Sequence, residues 1–310
     1  MQYRPFPEGS GAYHHCEKIV RHRVPSRKAK GMARLTLSLV LIVALLGGCL
    51  RSQTASQREE FFEKHGSSSI DAVFSPPSPE TIPGGQRGEQ IRLGYQIVVR
   101  TQENAKAYVG NALSCANCHL DAGLDPNAAS FVGLSRVYPE FQTRSARVMS
   151  LADRVNECFK RNLNGRTLPP DSSKLQAVVA YISWLSEDVP AGSVIHWRGI
   201  PRIQAARSPD PVNGKKVFGA RCVFCHGADG QGTMIAPPVW GPMSYTAASE
   251  MARHSVAASF IKANMPRTRG WALSDNDAYD VAAYINSQPR PDLADEVDDL
   301  PQGGKPQDSP

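Results

Sequence analysis

The sequence predicts a mostly α-helical protein of two small units in tandem, over 88–205 and 206–290. Three observations carry that expectation. A Cys-x-x-Cys-His pentapeptide occurs twice, as Cys115-Ala116-Asn117-Cys118-His119 and as Cys222-Val223-Phe224-Cys225-His226. Around each copy, helical patterning appears once ahead of the motif and once near the end of the unit. Between the units, 190–211 is repeatedly interrupted by Pro and Gly, the chemistry of a connection.

Each element has its own signal. In the first unit an amphipathic helix is expected over 90–101 and a second over 172–185, where Leu175, Val178, Val179 and Ile182 recur at helical spacing. A short helix is expected between Ser150 and Gly165, because Ser150 and Asp153 make a capping-box-like start and Asn164-Gly165 a stop. In the second unit helices are expected over 214–220 and 275–285, the latter with Ser274 as N-cap and Ala278, Val281, Ala282 and Ile285 facing inward. Upstream, 49–87 has the Ser, Gln, Pro and Gly content of a flexible tether. Downstream, 291–310 carries six acids against Lys305 and is expected to be a disordered tail.

Composition narrows the function classes. With 41% hydrophobic and 21% charged residues in 310, long disorder and a many-pass membrane protein are both excluded. The formal charge is +6, but residues 1–48 alone hold eight Lys and Arg against two Glu, so the excess lies upstream of the folded units. A nucleic-acid partner would need that charge clustered on a folded face, and none is expected.

The N-terminal segment points to export. An apolar run of twelve residues, 35–46, comes after Arg27, Lys28, Lys30 and Arg34; it is too short to cross a bilayer comfortably and has the layout of a signal peptide. The closing Leu46-Gly47-Gly48-Cys49 resembles the lipobox of bacterial lipoproteins, which implies a periplasmic chain tethered to a membrane through a lipidated Cys49. A plainly cleaved signal and an uncleaved anchor helix remain open, and all three readings export the chain. Met32 is the more natural start than Met1, and Cys16 then falls in a discarded segment.

In an exported chain the repeated pentapeptide reads as c-type haem attachment, with Cys115, Cys118, Cys222 and Cys225 joined to vinyl groups and His119 and His226 as axial iron ligands. Random placement of seven Cys and eight His supplies roughly 0.004 such pentapeptides, so two are not accidental. A zinc site needs four convergent ligands, which two motifs over a hundred residues apart supply poorly, and a redox dithiol lacks its strand–turn–helix context. A covalently held porphyrin also gives a loop-rich unit of some eighty residues an apolar core. The chain resembles the cytochrome c domain arrangement twice over. The expected fold class is therefore mostly α, two cytochrome c-type domains in tandem, each with one covalently attached haem.

The sixth ligands remain to be placed. In the second unit Met234 lies too close to His226 to reach the opposite haem face, which leaves Met243, Met251, His254 and Met265. Met265, in Asn264-Met265-Pro266 and 39 residues past His226, stands where cytochrome c domains present their Met; a gap-filling core role is the alternative. His/Met ligation raises the reduction potential, so this haem reads as an electron exit. In the first unit Met149 lies just before a helix, and Cys158 stands out. On its helix Arg154, Cys158 and either Arg161 or Asn162 share one face. A lone Cys is ordinarily a disulfide partner or a small buried residue, but no other unassigned Cys exists in the mature chain. Flanked by Arg and near an iron, its thiol is expected to lose its proton readily and to act as ligand or nucleophile.

Tyr108-Val109-Gly110-Asn111-Ala112-Leu113-Ser114 leading into the first motif and on to Gly123, and then 144–169 with Arg154-Val155-Asn156-Glu157-Cys158-Phe159-Lys160-Arg161-Asn162-Leu163-Asn164-Gly165, resemble the catalytic half of thiosulfate dehydrogenases. These are di-haem enzymes that couple two thiosulfates into tetrathionate, and the resemblance covers roughly 88–288. It implies a first haem with His119 and Cys158 as axial ligands and with Arg144 and Arg154 holding substrate. It also implies a second haem with His226 and Met265, handing electrons to a soluble cytochrome c or similar acceptor. Asn162 departs from the family, which commonly has Ser there. Of the five arginines within 144–166, Arg147 and Arg166 read as solvated. A sulfur placed among arginines beside a redox centre suggests a mechanism in which Cys158 leaves the iron transiently and attacks or accepts the outer sulfur of one thiosulfate, while the first haem takes electrons and a second thiosulfate completes the S–S bond; the same site can in principle reduce tetrathionate. The rivals are the haem subunit of a sulfur-transfer complex, a non-enzymatic di-haem carrier and a di-haem peroxidase. His196 and Trp197 are expected to pack between the units, or else to reach toward a haem edge.

Overall fold

Helix α1 spans Gly85–Val99, α2 Leu151–Arg161 and α3 Ser173–Trp184; these belong to the first domain, together with a hairpin of β1 (Glu140–Gln142) and β2 (Arg147–Met149). The second domain holds α4 (Pro211–Arg221), α5 (His254–Asn264) and α6 (Asp275–Asn286). This computed structural model describes residues 71–293 and Asp308, so the signal segment, Cys49 and most of the acidic tail lie outside the described residues. Contacts divide the chain at Gly66, and both helical domains lie in the larger part, Ser67–Pro310.

Local chemistry starts and stops the helices. The Ser150 hydroxyl accepts from the Asp153 N–H at 3.1 Å and the Asp153 carboxylate accepts from the Ser150 N–H at 2.9 Å, the reciprocal cap anticipated for α2. Its far end closes where the Leu163 N–H turns back to the Cys158 carbonyl and Asn164 adopts φ 46°. Ser172 caps α3, Ser274 caps α6, and Asp210 caps α4 with Pro211 in its first turn.

Three expectations need correction. Helix α1 begins at Gly85 instead of 90 and ends at Val99 instead of 101. The described part of the expected tether, 71–87, is laid on the first domain: the Ala72 N–H donates to the Val194 carbonyl, Phe74 meets Trp197 edge-on, and Ile82 packs on the core. Trp197 donates to the Val132 carbonyl at 2.8 Å, whereas His196 is exposed and paired with Asp71. At the other end 291–293 are packed: Leu293 is buried and the Pro291 carbonyl accepts from the Ala247 N–H. Helix α5 and the hairpin had no sequence signal. Ala257 to Ile261 are all buried, so α5 shows no single apolar stripe, and strands of three residues are too short to display alternation.

Both domains close by the same crossing. A Cβ on Gly94 of α1 would lie 2.1 Å from the Ala177 carbonyl oxygen of α3, and one on Gly214 of α4 would lie 1.9 Å from the Asp280 carbonyl oxygen of α6. First and last helix therefore meet backbone to backbone. The first core gathers Ile91, Val98, Phe159, Leu175, Val178 and Ile182; the second gathers Phe218, Trp240, Ile261, Val281 and Ile285. Asp280 is buried and accepts from Arg207 at 2.5 and 2.9 Å, the Asp210 N–H at 2.7 Å and Asn213 at 2.8 Å. Burial pushes its carboxyl up, but these donors outweigh burial and hold it below the usual carboxylate range.

The domains share an interface built from 241–253. Tyr245 and Ala252 of the second domain are buried in the first core, and Met251 touches both cores. The Thr246 N–H and hydroxyl both donate to the Arg161 carbonyl, at 3.1 and 2.8 Å, and Asn111 donates to the carbonyls of Asn162 and Ser244 at 2.8 and 2.9 Å.

Gly214→Ala is expected to cost about 1–3 kcal/mol by forcing α4 off α6, whereas Gly219→Ala on the same helix, with nothing within 4 Å of the added Cβ, is expected to stabilise; thermal unfolding compares the two. A carboxyl held low in the folded state adds stability above its unfolded pKa of about 3.9 and loses it as pH falls through the folded value. Asp280→Asn is therefore expected to flatten the fall of the melting temperature between about pH 5 and pH 3, read from melting curves across that range.

Candidate haem centres and substrate site

One face of α2 makes a wall. Leu151, Arg154, Val155, Cys158, Phe159 and Asn162 recur at helical spacing and line a cleft of about 670 Å³, open mouth included, whose other sides hold Cys115, Cys118, His119 and Phe131. The structure thus brings Cys158, Arg154 and the whole first attachment motif to one cavity. It also settles which residue joins Cys158 and Arg154 on that face: Asn162 lines the cleft, while Arg161 is buried against Glu157.

The donor chemistry fits a covalent haem. His119 Nδ1 lies 2.7 Å from the Ala129 carbonyl, a bond that places the proton on Nδ1 and leaves Nε2 as the lone-pair nitrogen. Burial pushes its pKa down to about 4, against that hydrogen bond, so the ring is neutral near pH 7. Burial also pushes the thiols up, Cys115 to about 11, Cys118 to about 12 and Cys222 to about 11. Reactive redox dithiols show the opposite shift. These are protected thiols in apolar walls, suited to permanent thioether linkage. The Cys158 charge acts on both Cys115 and Cys118, so it lies close to the motif.

Arginine placement is selective. Cys158 lies close enough to Arg154 to be the largest influence raising its pKa, which keeps the guanidinium charged against burial; Glu250 of the second domain adds to this. Glu250 also pairs with Arg144 at 2.8 Å. Arg144 sits in the turn between β1 and β2 and does not line the cleft, so its place is beside Glu250 in the charge cluster around Arg154. Arg147 and Arg166 are exposed, Arg147 facing Glu157 and Arg166 over the Tyr108 ring.

The second centre repeats the histidine arrangement. His226 Nδ1 lies 2.8 Å from the Pro237 carbonyl, and burial lowers its pKa. Of the sulfur candidates, Met243 is 45% exposed and Met251 sits where the two domains meet. Met265 packs on the core that also holds Cys222 and Val223. His254 opens α5 and Met149 is buried in β2. Sequence reasoning missed Ser249, which donates to Asn162 Oδ1 at 2.6 Å, and Glu250. Both lie about ninety residues from the Cys-bearing helix, and no local pattern signals such partners.

Two helical domains, each folding a Cys-x-x-Cys-His segment onto an apolar core with one lone-pair nitrogen presented, define a di-haem c-type cytochrome. The family described as SoxA/TsdA, cytochrome c domain, matches 104–191, and the family described as Cytochrome c matches 211–289. Thiosulfate dehydrogenase of Allochromatium vinosum is 39% identical over 237 residues, 73% of this chain and 88% of that protein. The enzyme of the same name from Stutzerimonas stutzeri is 36% identical over 263 residues, 82% and 86% of the two chains. The solved structure of thiosulfate dehydrogenase (TsdBA) from Marichromatium purpuratum superposes with a TM-score of 0.66 at 35% identity over 72% of this chain, which spans 50% of that longer chain. The chain belongs to the thiosulfate dehydrogenase family, and two covalently bound haem c groups are its cofactors.

Proposed function

We propose that this chain is a thiosulfate dehydrogenase that joins two thiosulfates into tetrathionate and delivers the electrons to a soluble cytochrome c or similar acceptor. What supports this most is the single face of α2 that sets Cys158 and Arg154 in the cleft of the first attachment motif. In the reaction two thiosulfate dianions lose two electrons, one bond forms between their outer sulfurs, and no proton moves. Two dianions ~6 Å apart repel by roughly 11 kcal/mol at an effective dielectric of 20, so fixed positive charge must already be present.

Arg154 holds sulfonate oxygens, a task suited to a permanently charged planar fork, and Arg144, paired with Glu250 outside the cleft, adds positive charge nearby. Asn162 lines the cleft and its Oδ1 accepts from Ser249, which leaves its amide N–H groups as the donors it can offer a substrate. Cys158 engages the outer sulfur of one thiosulfate and orients it for the second. His119 and Cys158 would hold the first haem and His226 and Met265 the second; when bound, the haems would supply one-electron acceptors, and a Met ligand on the second would favour electron flow toward it.

The chain is proposed to be exported and periplasmic, tethered through a lipidated Cys49; among the described residues no helix is long and apolar enough to cross a membrane. A second cytochrome c domain in the same chain favours a self-contained electron path over a sulfur-transfer subunit.

Replacing Cys158 by Gly or Met is expected to abolish thiosulfate-dependent ferricyanide reduction while both haems stay attached; near-normal turnover would remove the Cys from the chemistry. The same assay run with thiosulfate, sulfite and sulfide tests the substrate, and activity confined to sulfite would overturn it. Glu250→Gln removes a negative charge beside the anion site and is expected to lower the KM for thiosulfate roughly two- to fivefold, the scale of a partly exposed charge; an unchanged or higher KM would place Glu250 in support of the site instead.

A further inference from the structure

Arg290 lies just beyond α6, with its guanidinium turned back into the domain interface. Nη2 donates to the Ile285 carbonyl at 2.8 Å and to Asn286 Oδ1 at 3.1 Å. Nε and Nη1 are buried and have no acceptor. The group stacks 4.3 Å from the centroid of Tyr245, whose hydroxyl donates to the same Asn286 oxygen at 3.0 Å. Tyr245 is buried in the first core, which Cys115 also packs against, so this cation sits between the first attachment motif and the last helix of the second domain.

A guanidinium does not shed its proton to escape burial. Two enclosed donor nitrogens on a charged side chain cost several kcal/mol in total when unpaired, and among the described residues no carboxylate side chain forms an ion pair with Arg290. Besides its own side chains, a loaded chain encloses carboxylates of a second kind, the haem propionates. We propose that Arg290 is a haem-binding residue at the domain interface, its Nε and Nη1 groups donating to a haem propionate. Neutralising that carboxylate disfavours the ferric charge and raises the potential of the haem concerned. The proposal depends on the two covalent haems and not on the substrate, so its failure would leave the thiosulfate reading standing.

Redox titration of the holoprotein, with each haem followed at its own spectral signature, tests it. Arg290→Gln is expected to lower the potential of one haem enough to shift its reduced-to-oxidised ratio about tenfold, 59 mV for one electron, and Arg290→Lys is expected to recover most of that shift. Which haem moves identifies whose propionate is held. Both potentials unchanged in a folded, fully loaded Gln variant would overturn the proposal and leave the nitrogens to water. Should the Gln variant fail to load, resonance Raman of wild type against Arg290→Lys decides: a displaced propionate bending band supports the pairing, and identical bands refute it.

Discussion

The last carbonyls of an α-helix have no partner within the helix, and at the carboxyl end of α2 some of the partners come from elsewhere in the chain. The Arg161 carbonyl accepts two bonds from Thr246, the Asn162 carbonyl accepts from Asn111, and Ser249 bonds the Asn162 side chain. At its start the same helix is fixed by the Ser150–Asp153 box. A helix pinned at both ends has little freedom to rotate. The face carrying Arg154 and Cys158 is therefore held toward the first attachment motif, and the second domain is part of what holds it. Docking of the domains and assembly of the proposed substrate site become one event.

Charge in this cleft is set by opposing effects. Enclosure in apolar walls pushes the attachment thiols toward the neutral form and does the same to His119. Arg154 resists the same enclosure, because neighbouring Cys158 and Glu250 favour its charge. The outcome is a neutral, apolar seat for a porphyrin beside a persistently cationic corner suited to oxyanions. Glu250 keeps that corner from being uniformly positive, since it faces Arg144 on one side and Arg253 on the other.

The two domains repeat one construction and differ where their proposed chemistry differs. In each, a glycine lets the first helix meet the backbone of the last, and in each the motif histidine gives its Nδ1 to a backbone carbonyl. They diverge between the motif and the last helix: one has a hairpin and the Cys-bearing helix there, the other α5 and the Met265 turn. A thiolate beside arginines suits a site that takes substrate, and a thioether in an apolar core suits a site that only relays electrons.

Local information was enough for much of this. The repeated motif, the caps at Ser150, Ser172 and Ser274, and the inward stripes of α3 and α6 depend on residues within a few positions of each other, so the two-domain helical class and the haem cofactors were legible in the sequence. Helix α5 was not, because burial on nearly every side erases the periodicity that reveals a helix. The ordered course of 71–87 was equally hidden, since it depends on Val194 and Trp197, more than a hundred residues away. Only the tertiary structure decided that Asn162, not Arg161, faces the cleft, that Arg144 answers to Glu250, and that Arg290 carries buried donors at the domain interface. Each of these turns on hydrogen bonds and ion pairs between residues far apart in the chain, and such partners are chosen by packing, on which composition and spacing are silent.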